Sequence, residues 1–332
     1  MVKLLKNILV VAFLFCASCA PTIKNFAEFE KQPILKAEYF DKKSFVQKPP
    51  KIVVLNFASG DSKIAQQANL GETLATAVEN TLASAKLVEL LDRKAFKNLA
   101  EEIALNELKG EATYSGPASA DYAVSGNIAT AGFAHKYTGS SVRVNPDGSV
   151  SSVPAQHRYT ANYEGNIKIY KLPNLEVTQV IPLKGSAVRK EDAVVDGLLF
   201  TKKVNTDQIV KRDDNLVRKA ALSAVGSKKR ALKNYFSSLR KGYILEKRSH
   251  KKQIIFRINL GKKDALRHGQ KVRIFAKDQI INPLNDEVEI EEIEIGKAIV
   301  TNLINSKSAW IIVKDKNIAH QIKLGDYVTV KY

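Results

Sequence analysis

The stretch Tyr159-Thr-Ala-Asn-Tyr-Glu-Gly-Asn-Ile-Lys-Ile169 decides the fold of the first half of the chain. Its odd positions are Tyr, Ala, Tyr, Gly, Ile and Ile, and polar residues fill most of the even positions: Thr160, Asn162, Glu164 and Lys168. This alternation is typical of an antiparallel strand with one buried face. Pro173-Asn174 marks a turn, so we expect a partner strand through Val177 and Ile181.

Strands and helices alternate upstream of this hairpin. Short apolar runs predict strands at 52–57, 87–91 and 121–128. Apolar residues at helical spacing predict one helix over roughly 65–85 and a second around Phe96–Ile103. The order predicts an α/β fold for residues 51–215, an α+β sandwich in which helices cover a mixed sheet.

A different pattern begins at Gly242, where the hydrophobic period changes to two. Ile254, Phe256, Ile258 and Leu260 share one parity, and further short apolar runs follow as far as Val330. About five or six short strands in this space predict a small β-barrel over 242–332. We expect Trp310 inside the barrel core, with an exposed aromatic platform for a glycan as the alternative.

The N-terminus has the composition of an export signal. Lysines, an apolar run from Ile8 to Phe15 and the small residues Ala17 and Ser18 precede Cys19, which predicts a signal peptide over 1–18. The apolar run is too short to cross a bilayer as a helix, which takes about 20 residues. Both cysteines of the chain lie here, so the mature protein has no disulfide framework.

The residues around Cys19 resemble the bacterial lipobox, although Cys16 occupies a position where leucine is usual. The resemblance implies that Cys19 is lipidated and becomes the first mature residue. Ala20 and Pro21 follow it, and neither is the aspartate that the lipoprotein-sorting pattern associates with the inner membrane. We therefore expect the periplasmic face of the outer membrane. Residues 19–50 mix charges and prolines without a sustained period, which predicts a lipidated flexible tether.

Positive charge is concentrated between Leu216 and Lys277. This stretch holds nineteen Lys/Arg and two acidic residues, an excess of 19 − 2 = 17 in a chain whose net charge is +18. Its first part, 216–241, has apolar residues at helical spacing and predicts a basic connecting helix, with Gly226 as a weak point. The candidate residues for contact with an anionic surface are Lys228, Lys229, Arg230, Lys233, Arg240, Lys241, Lys251 and Lys252.

The nature of that anion is open. The alternative is that these cations form a solvent-exposed helix face that binds nothing. Nucleic acid is the usual partner of such a stretch, but an exported lipoprotein is not expected to meet it. Acidic proteins, lipopolysaccharide phosphates and peptidoglycan carboxylates are the available anions. The acidic run 287–294 is expected to be exposed, where it could meet the basic stretch of a neighbouring copy.

Residues 50–235 resemble the curli secretion-channel lipoprotein family. The likeness lies in Ile52–Phe57, Leu70-Gly71, Val88–Arg93 and Ala120–Gly126. Channels of this family cross the membrane with apolar-faced hairpins. The candidate insertion here, Phe133–Tyr159, is polar on both parities, and residues 188–215 are too charged to supply a second full-length hairpin. We therefore expect 133–158 to be a mobile polar hairpin used in contacts, or a loop.

The last 90 or so residues resemble the C-terminal domain of flagellar assembly protein T. The matching segments are Gly242–Leu245, Ile255–Gly261, Leu266–Gly269, Gly296–Val300 and Leu324–Asp326. The resemblance implies an SH3-like β-barrel and a place in a periplasmic ring around the flagellar motor. That family has a further N-terminal domain, where this chain has its lipid-anchor signal.

Residues that could carry catalysis are scattered. No nucleotide-binding, hydrolase or zinc-protease motif occurs, and the five histidines lie at no ligand spacing. We expect no enzyme activity, catalytic residue, cofactor or metal. The sequence predicts an outer-membrane lipoprotein that acts as a ring or scaffold component through envelope or flagellar proteins, including copies of itself. The alternatives are a curli-type channel subunit and a lipoprotein activator of a cell-wall synthase.

Overall fold

The computed structural model describes residues 20–38, 48–96, 98–109, 114, 120–192, 212–281 and 287–332. The predicted signal peptide and Cys19 lie outside the described residues. The chain divides into two compact units. Of the described residues, the first unit contains those within 50–84 and 88–232, and the second contains those within 20–49, 85–87 and 233–332. None of the helices in the described residues is long and apolar enough to span a membrane.

The secondary structure of the described residues is mainly strand. In chain order the strands are β1 (Glu30–Gln32), β2 (Lys51–Val54), β3 (Glu89–Leu91), β4 (Tyr122–Thr138), β5 (Ser141–Val144), β6 (Val150–Val153), β7 (Gln156–Lys171), β8 (Glu176–Asp192), β9 (Gly242–His250), β10 (Gln253–Ile258), β11 (Lys271–Ile281), β12 (Val288–Ile304), β13 (Ala309–Val313) and β14 (Tyr327–Lys331). The helices are α1 (Lys63–Gln67), α2 (Leu70–Ala85), α3 (Leu99–Lys109), α4 (Asp214–Ser238) and α5 (Lys316–Gln321).

The first unit is built on a mixed five-stranded sheet in the order β3-β2-β4-β7-β8. β2 runs parallel to β3 and β4, whereas β4, β7 and β8 are antiparallel neighbours. The mixed sheet expected from the sequence is confirmed. So is the buried parity of β7, because Ala161, Tyr163, Ile167 and Ile169 are all buried. The long helix expected over 65–85 is divided into α1 and α2 at Asn69, whose φ is +48°.

Strands β4, β7 and β8 remain paired beyond the packed core. This projecting part of the three strands is called the arm below. β4 pairs with β7 from Tyr122↔Lys171 to Thr138↔Gln156, and β7 pairs with β8 as far as Gln156↔Asp192. The short strands β5 and β6 pair between the ends of β4 and β7. Residues 133–158 are therefore a paired hairpin, and the alternative expectation of a loop is wrong.

The second unit is a small closed β-barrel. Its six strands follow the order β9-β10-β13-β12-β11-β14, and pairing of β14 with β9 closes the sheet. Phe256, Ile258, Ile274, Ile311 and Val328 are among the fully buried residues of its core. The small barrel expected over 242–332 is thus confirmed, and its assignment as SH3-like remains a prediction.

The basic connecting helix is present as α4. It begins at Asp214, where Asp213 Oδ1 accepts hydrogen bonds from the backbone N–H groups of Asn215 and Leu216. It continues through Gly226 without a break. Within the first unit, α4 packs against β8 so closely that a Cβ added to Gly185 would lie 2.2 Å from the carbonyl oxygen of Ala220.

Candidate anchor site and contact surfaces

Residues 20–38, called the N-terminal strap below, are bound to the barrel. β1 pairs antiparallel with β9, from Glu30↔Ser249 to Gln32↔Lys247, and adds a seventh strand to the barrel sheet. Further along the strap, the Ala37 N–H donates to the Leu324 carbonyl at 2.8 Å, and the Leu324 N–H donates to the Leu35 carbonyl at 2.6 Å. The flexible tether expected over 19–50 is therefore wrong for residues 20–38.

Apolar burial holds the strap as well. Ile23 and Phe29 are each 5% exposed and form a cluster with Ile255 and Trp310 on the outer face of the barrel. The ring centres of Phe26 and Trp310 lie 5.1 Å apart. The prediction that Trp310 belongs to the barrel core is wrong. Successive strand residues face opposite sides of a sheet, so its neighbour Ile311 fills the core and Trp310 lies under the strap.

The beginning of the strap is fixed by polar contacts. The Asn302 side chain accepts a hydrogen bond from the Ile23 N–H at 2.7 Å and donates one to the Ile23 carbonyl at 3.1 Å. The Pro21 carbonyl lies 3.1 Å from Nε2 of His268. A Cβ added to Gly269 would lie 3.0 Å from the Cβ of Ala20. Ala20 therefore contacts the turn that precedes β11.

The predicted lipidation site, Cys19, directly precedes Ala20 in the sequence and lies outside the described residues.

The barrel turn that binds the far end of the strap carries a buried carboxyl group. Asp326 is 3% exposed, and burial raises its pKa to about 6. Its carboxylate accepts a hydrogen bond from the Lys323 N–H at 2.6 Å. The same turn contains Gly325, with φ of +98°, and Leu324, which binds the strap.

Replacing Phe26 with alanine is expected to loosen the strap and expose Trp310. The change removes the ring that packs on Trp310 and on the Arg248 guanidinium, which lies 4.8 Å from the Phe26 ring centre. Because Trp310 is the one tryptophan of the chain, its fluorescence maximum should shift to longer wavelength. We expect a stability loss of about 2–4 kcal/mol, since the ring is partly buried. Leu35→Ala is the control, because Leu35 is 77% exposed. An equal spectrum for the Phe26→Ala and Leu35→Ala variants would contradict strap docking.

The eight basic residues proposed for anionic contacts have different environments. Lys229, Arg230, Lys251 and Lys252 are exposed, and Lys228 is half-buried. Lys233 is half-buried, with its ammonium 5.7 Å from the ring centre of Tyr332. They fall in both units: Lys228–Arg230 in the first and the others in the second.

Two of these residues are engaged within the chain, contrary to expectation. Arg240 is 7% exposed and forms an ion pair with Asp264. Lys241 forms an ion pair with Glu292 and lies 4.3 Å from the ring centre of Tyr327. Their position near the end of a basic helix suggested solvent exposure, but the barrel supplies an acidic partner for each of them.

The acidic run 287–294 forms part of a hairpin that extends from the barrel. β11 and β12 pair from Phe275↔Glu294 to Ile281↔Val288, and Ile281, Val288 and Ile290 are exposed. Burial raises the pKa of Glu292, but hydrogen bonds from Lys241 and Tyr327 outweigh it and hold that pKa below its usual range. Glu292 is thus paired with Lys241, and Glu294 lies 3.7 Å from the Arg273 guanidinium. Glu289 and Glu291 are exposed.

One face of the arm carries an aromatic and imidazole cluster that sequence reasoning missed. Nε2 of His135 lies 2.9 Å from Nδ1 of His157, and their rings stack. Tyr137 and Tyr159 flank the pair, and the Arg189 guanidinium lies 4.7 Å from the centre of the Tyr159 ring. The two histidines are far apart in sequence, and only the β4–β7 register brings them together. Across the described ranges, no group of three or more His, Cys, Asp or Glu could hold a metal ion.

Comparison with known proteins gives only weak likenesses. No family model and no curated protein matches the chain. A hypothetical protein from Chlamydia trachomatis is 11% identical over 42% of this chain and 73% of its own, with a TM-score of 0.26. A minor lipoprotein from Acinetobacter baumannii is 10% identical over 57% and 93%, with a TM-score of 0.26. PelC from Paraburkholderia phytofirmans, a dodecamer, is 11% identical over 59% and 97%, with a TM-score of 0.20. Scores this low assign neither fold nor function to this chain.

Proposed function

We propose that this chain is a lipid-anchored, non-enzymatic scaffold protein of the bacterial envelope, attached through Cys19 to the periplasmic face of the outer membrane. The observation that carries the proposal is the strap. It begins one residue after the predicted lipidation site and is bound to the barrel by Asn302, by Trp310 and by pairing of β1 with β9. A lipid on Cys19 would therefore position a folded domain at the membrane surface.

The proposal extends to assembly by protein contacts. The arm and the β11–β12 hairpin both project beyond packed cores and expose side chains of mixed character. Elements of this kind suit contacts with other proteins or with further copies of the chain. The resemblance of residues 242–332 to flagellar assembly protein T suggests the flagellar periplasmic ring as the assembly that the protein serves.

The first test is lipidation of Cys19. Cys19→Ser should abolish incorporation of labelled palmitate and move the protein from the outer-membrane fraction to the soluble periplasmic fraction. Cys16→Ser is the matched control, because Cys16 lies within the predicted signal peptide and its loss should leave lipidation unchanged. Palmitate labelling that persists in the Cys19→Ser variant would refute the proposed anchor.

The assembly role is tested in a deletion strain by swimming assays and cryo-tomography of flagellar motors. We expect reduced swimming and loss of a periplasmic ring density, both restored by the wild-type gene and not by the Cys19→Ser variant. Normal swimming and intact motors in the deletion strain would refute the flagellar assignment.

A further inference from the structure

The end of the barrel that contacts Ala20 is strongly basic. Lys262, Lys263, Arg267 and Lys271 are all exposed. The single acidic residue among 262–271 is Asp264, which is engaged by Arg240 and by the Gly261 N–H at 2.7 Å. We call the exposed cations around Ala20 and this turn the basic end; its members are Lys24, Lys262, Lys263, Arg267, Lys271 and Lys307.

Backbone contacts place these cations on one part of the barrel. The Lys262 N–H donates to the Asn305 carbonyl at 2.9 Å, and the Lys263 N–H donates to the Ser306 carbonyl at 3.0 Å. The turn that carries Lys307 therefore lies beside Lys262 and Lys263. Arg267 and Lys271 flank His268 and Gly269, the two residues that contact Pro21 and Ala20. Lys24 follows Ile23, which Asn302 holds.

We propose that the basic end is a membrane-contact surface, which binds the phosphate groups of anionic phospholipids while the strap holds it at the bilayer. The inference rests on the proposed lipidation of Cys19 and adds an orientation to it. The sequence places the lipidated residue directly before Ala20, at the edge of this surface. Lipid chains that enter the bilayer from that point would bring the basic end against the headgroups.

The bound strap determines whether these charges lie close enough to the bilayer to attract anionic headgroups. Attraction between exposed charges falls off over a Debye length of about 8 Å at physiological ionic strength. A flexible tether of about 30 residues would spread the domain over roughly 30 Å, several times that distance. With the strap bound, the distance between Cys19 and the basic end is set by one peptide unit at Ala20. At an anionic surface each basic residue then strengthens binding by a factor of about five, in the manner of a lipid chain combined with a polybasic patch.

The test measures which part of the barrel faces the bilayer. Full-length lipidated protein is reconstituted in vesicles of phosphatidylglycerol and phosphatidylcholine and labelled with a fluorophore at Arg267→Cys or, in a second variant, at Gln253→Cys. Gln253 is exposed and lies at the end of β10 remote from Gly261, next to the cations Lys251 and Lys252. We expect headgroup-quencher lipids to quench the label at 267 at least threefold more than the label at 253.

Charge dependence completes the test. The variant Lys262→Gln/Lys263→Gln/Lys271→Gln should lower the quenching ratio, whereas Lys251→Gln/Lys252→Gln should leave it unchanged. Equal quenching at 267 and 253 in lipidated protein would overturn the orientation. So would a ratio that the triple variant does not change, because orientation would then be independent of the basic end. Failure of lipidation itself is seen separately, as loss of palmitate labelling, and would refute the proposed anchor.

Discussion

Arg240→Ala should lower the free energy of unfolding of the barrel by about 3–5 kcal/mol, which is the usual cost of removing one partner of a buried ion pair. The Arg240 side chain is 9% exposed and its partner Asp264 is 17% exposed. Without the guanidinium, Asp264 keeps its hydrogen bond from the Gly261 N–H but has no cation to balance its largely buried charge. Urea unfolding followed by Trp310 fluorescence measures the change, because Trp310 lies in the same unit.

A second arginine of the barrel provides the control. Arg257 is 44% exposed, and its guanidinium lies 3.7 Å from a Glu246 carboxylate oxygen. Exposed ion pairs contribute about 0–1 kcal/mol, so Arg257→Ala should have a small effect in the same assay. Equal losses in the Arg240→Ala and Arg257→Ala variants would mean that burial of the Arg240–Asp264 pair has no energetic consequence.

Gly126→Ala should destabilise the first unit by about 3 kcal/mol, at the upper end of the cost of overpacking a core. Gly126 lies in β4, and an added Cβ would be 2.1 Å from the backbone oxygen of Asn166 and 2.4 Å from the Phe57 ring. The neighbouring strand β7 would have to move, and its pairing with β4 would suffer. Thermal unfolding followed by far-UV circular dichroism should show a midpoint about 6–12 °C lower for the transition of this unit.

Gly132 lies in the same strand and gives a matched comparison. An added Cβ at Gly132 would meet no atom within 4 Å. Gly132→Ala should therefore unfold within about 0.5 kcal/mol of the wild-type protein, as expected for a surface substitution. Similar midpoints for the two alanine variants would contradict the close approach of β4 and β7 at Gly126.

Local patterns in the sequence predicted much of the fold. The alternation of Tyr163, Ile167 and Ile169 predicted a half-buried strand, because burial of one sheet face requires a period of two. The same argument predicted the strand with Phe256 and Ile258 in the barrel. Strand ends were predicted less well. β4 and β8 continue for several residues beyond their apolar parts, where cross-strand pairing rather than burial maintains them.

The candidate site depended on contacts between distant parts of the chain. The sequence of the strap has no hydrophobic periodicity. Ile23 and Phe29 are buried because Trp310 and Ile255 lie beneath them. Trp310 has an apolar neighbour on each side. The local sequence pattern therefore did not show whether its side chain faces the barrel core or an outer face that the strap covers. Arg240 looked like one more exposed cation of a basic helix, and the acid that neutralises it is more than twenty residues away.

The strap also imposes an order on biogenesis. Ile23 is held by Asn302, 279 positions later, and β1 pairs with β9 more than 200 residues further on. Closing so long a loop requires that the last strands of the barrel already exist. Until those strands have formed, Ile23 and β1 have no partner to bind. The strap therefore docks in a late step of folding, after the barrel that it covers.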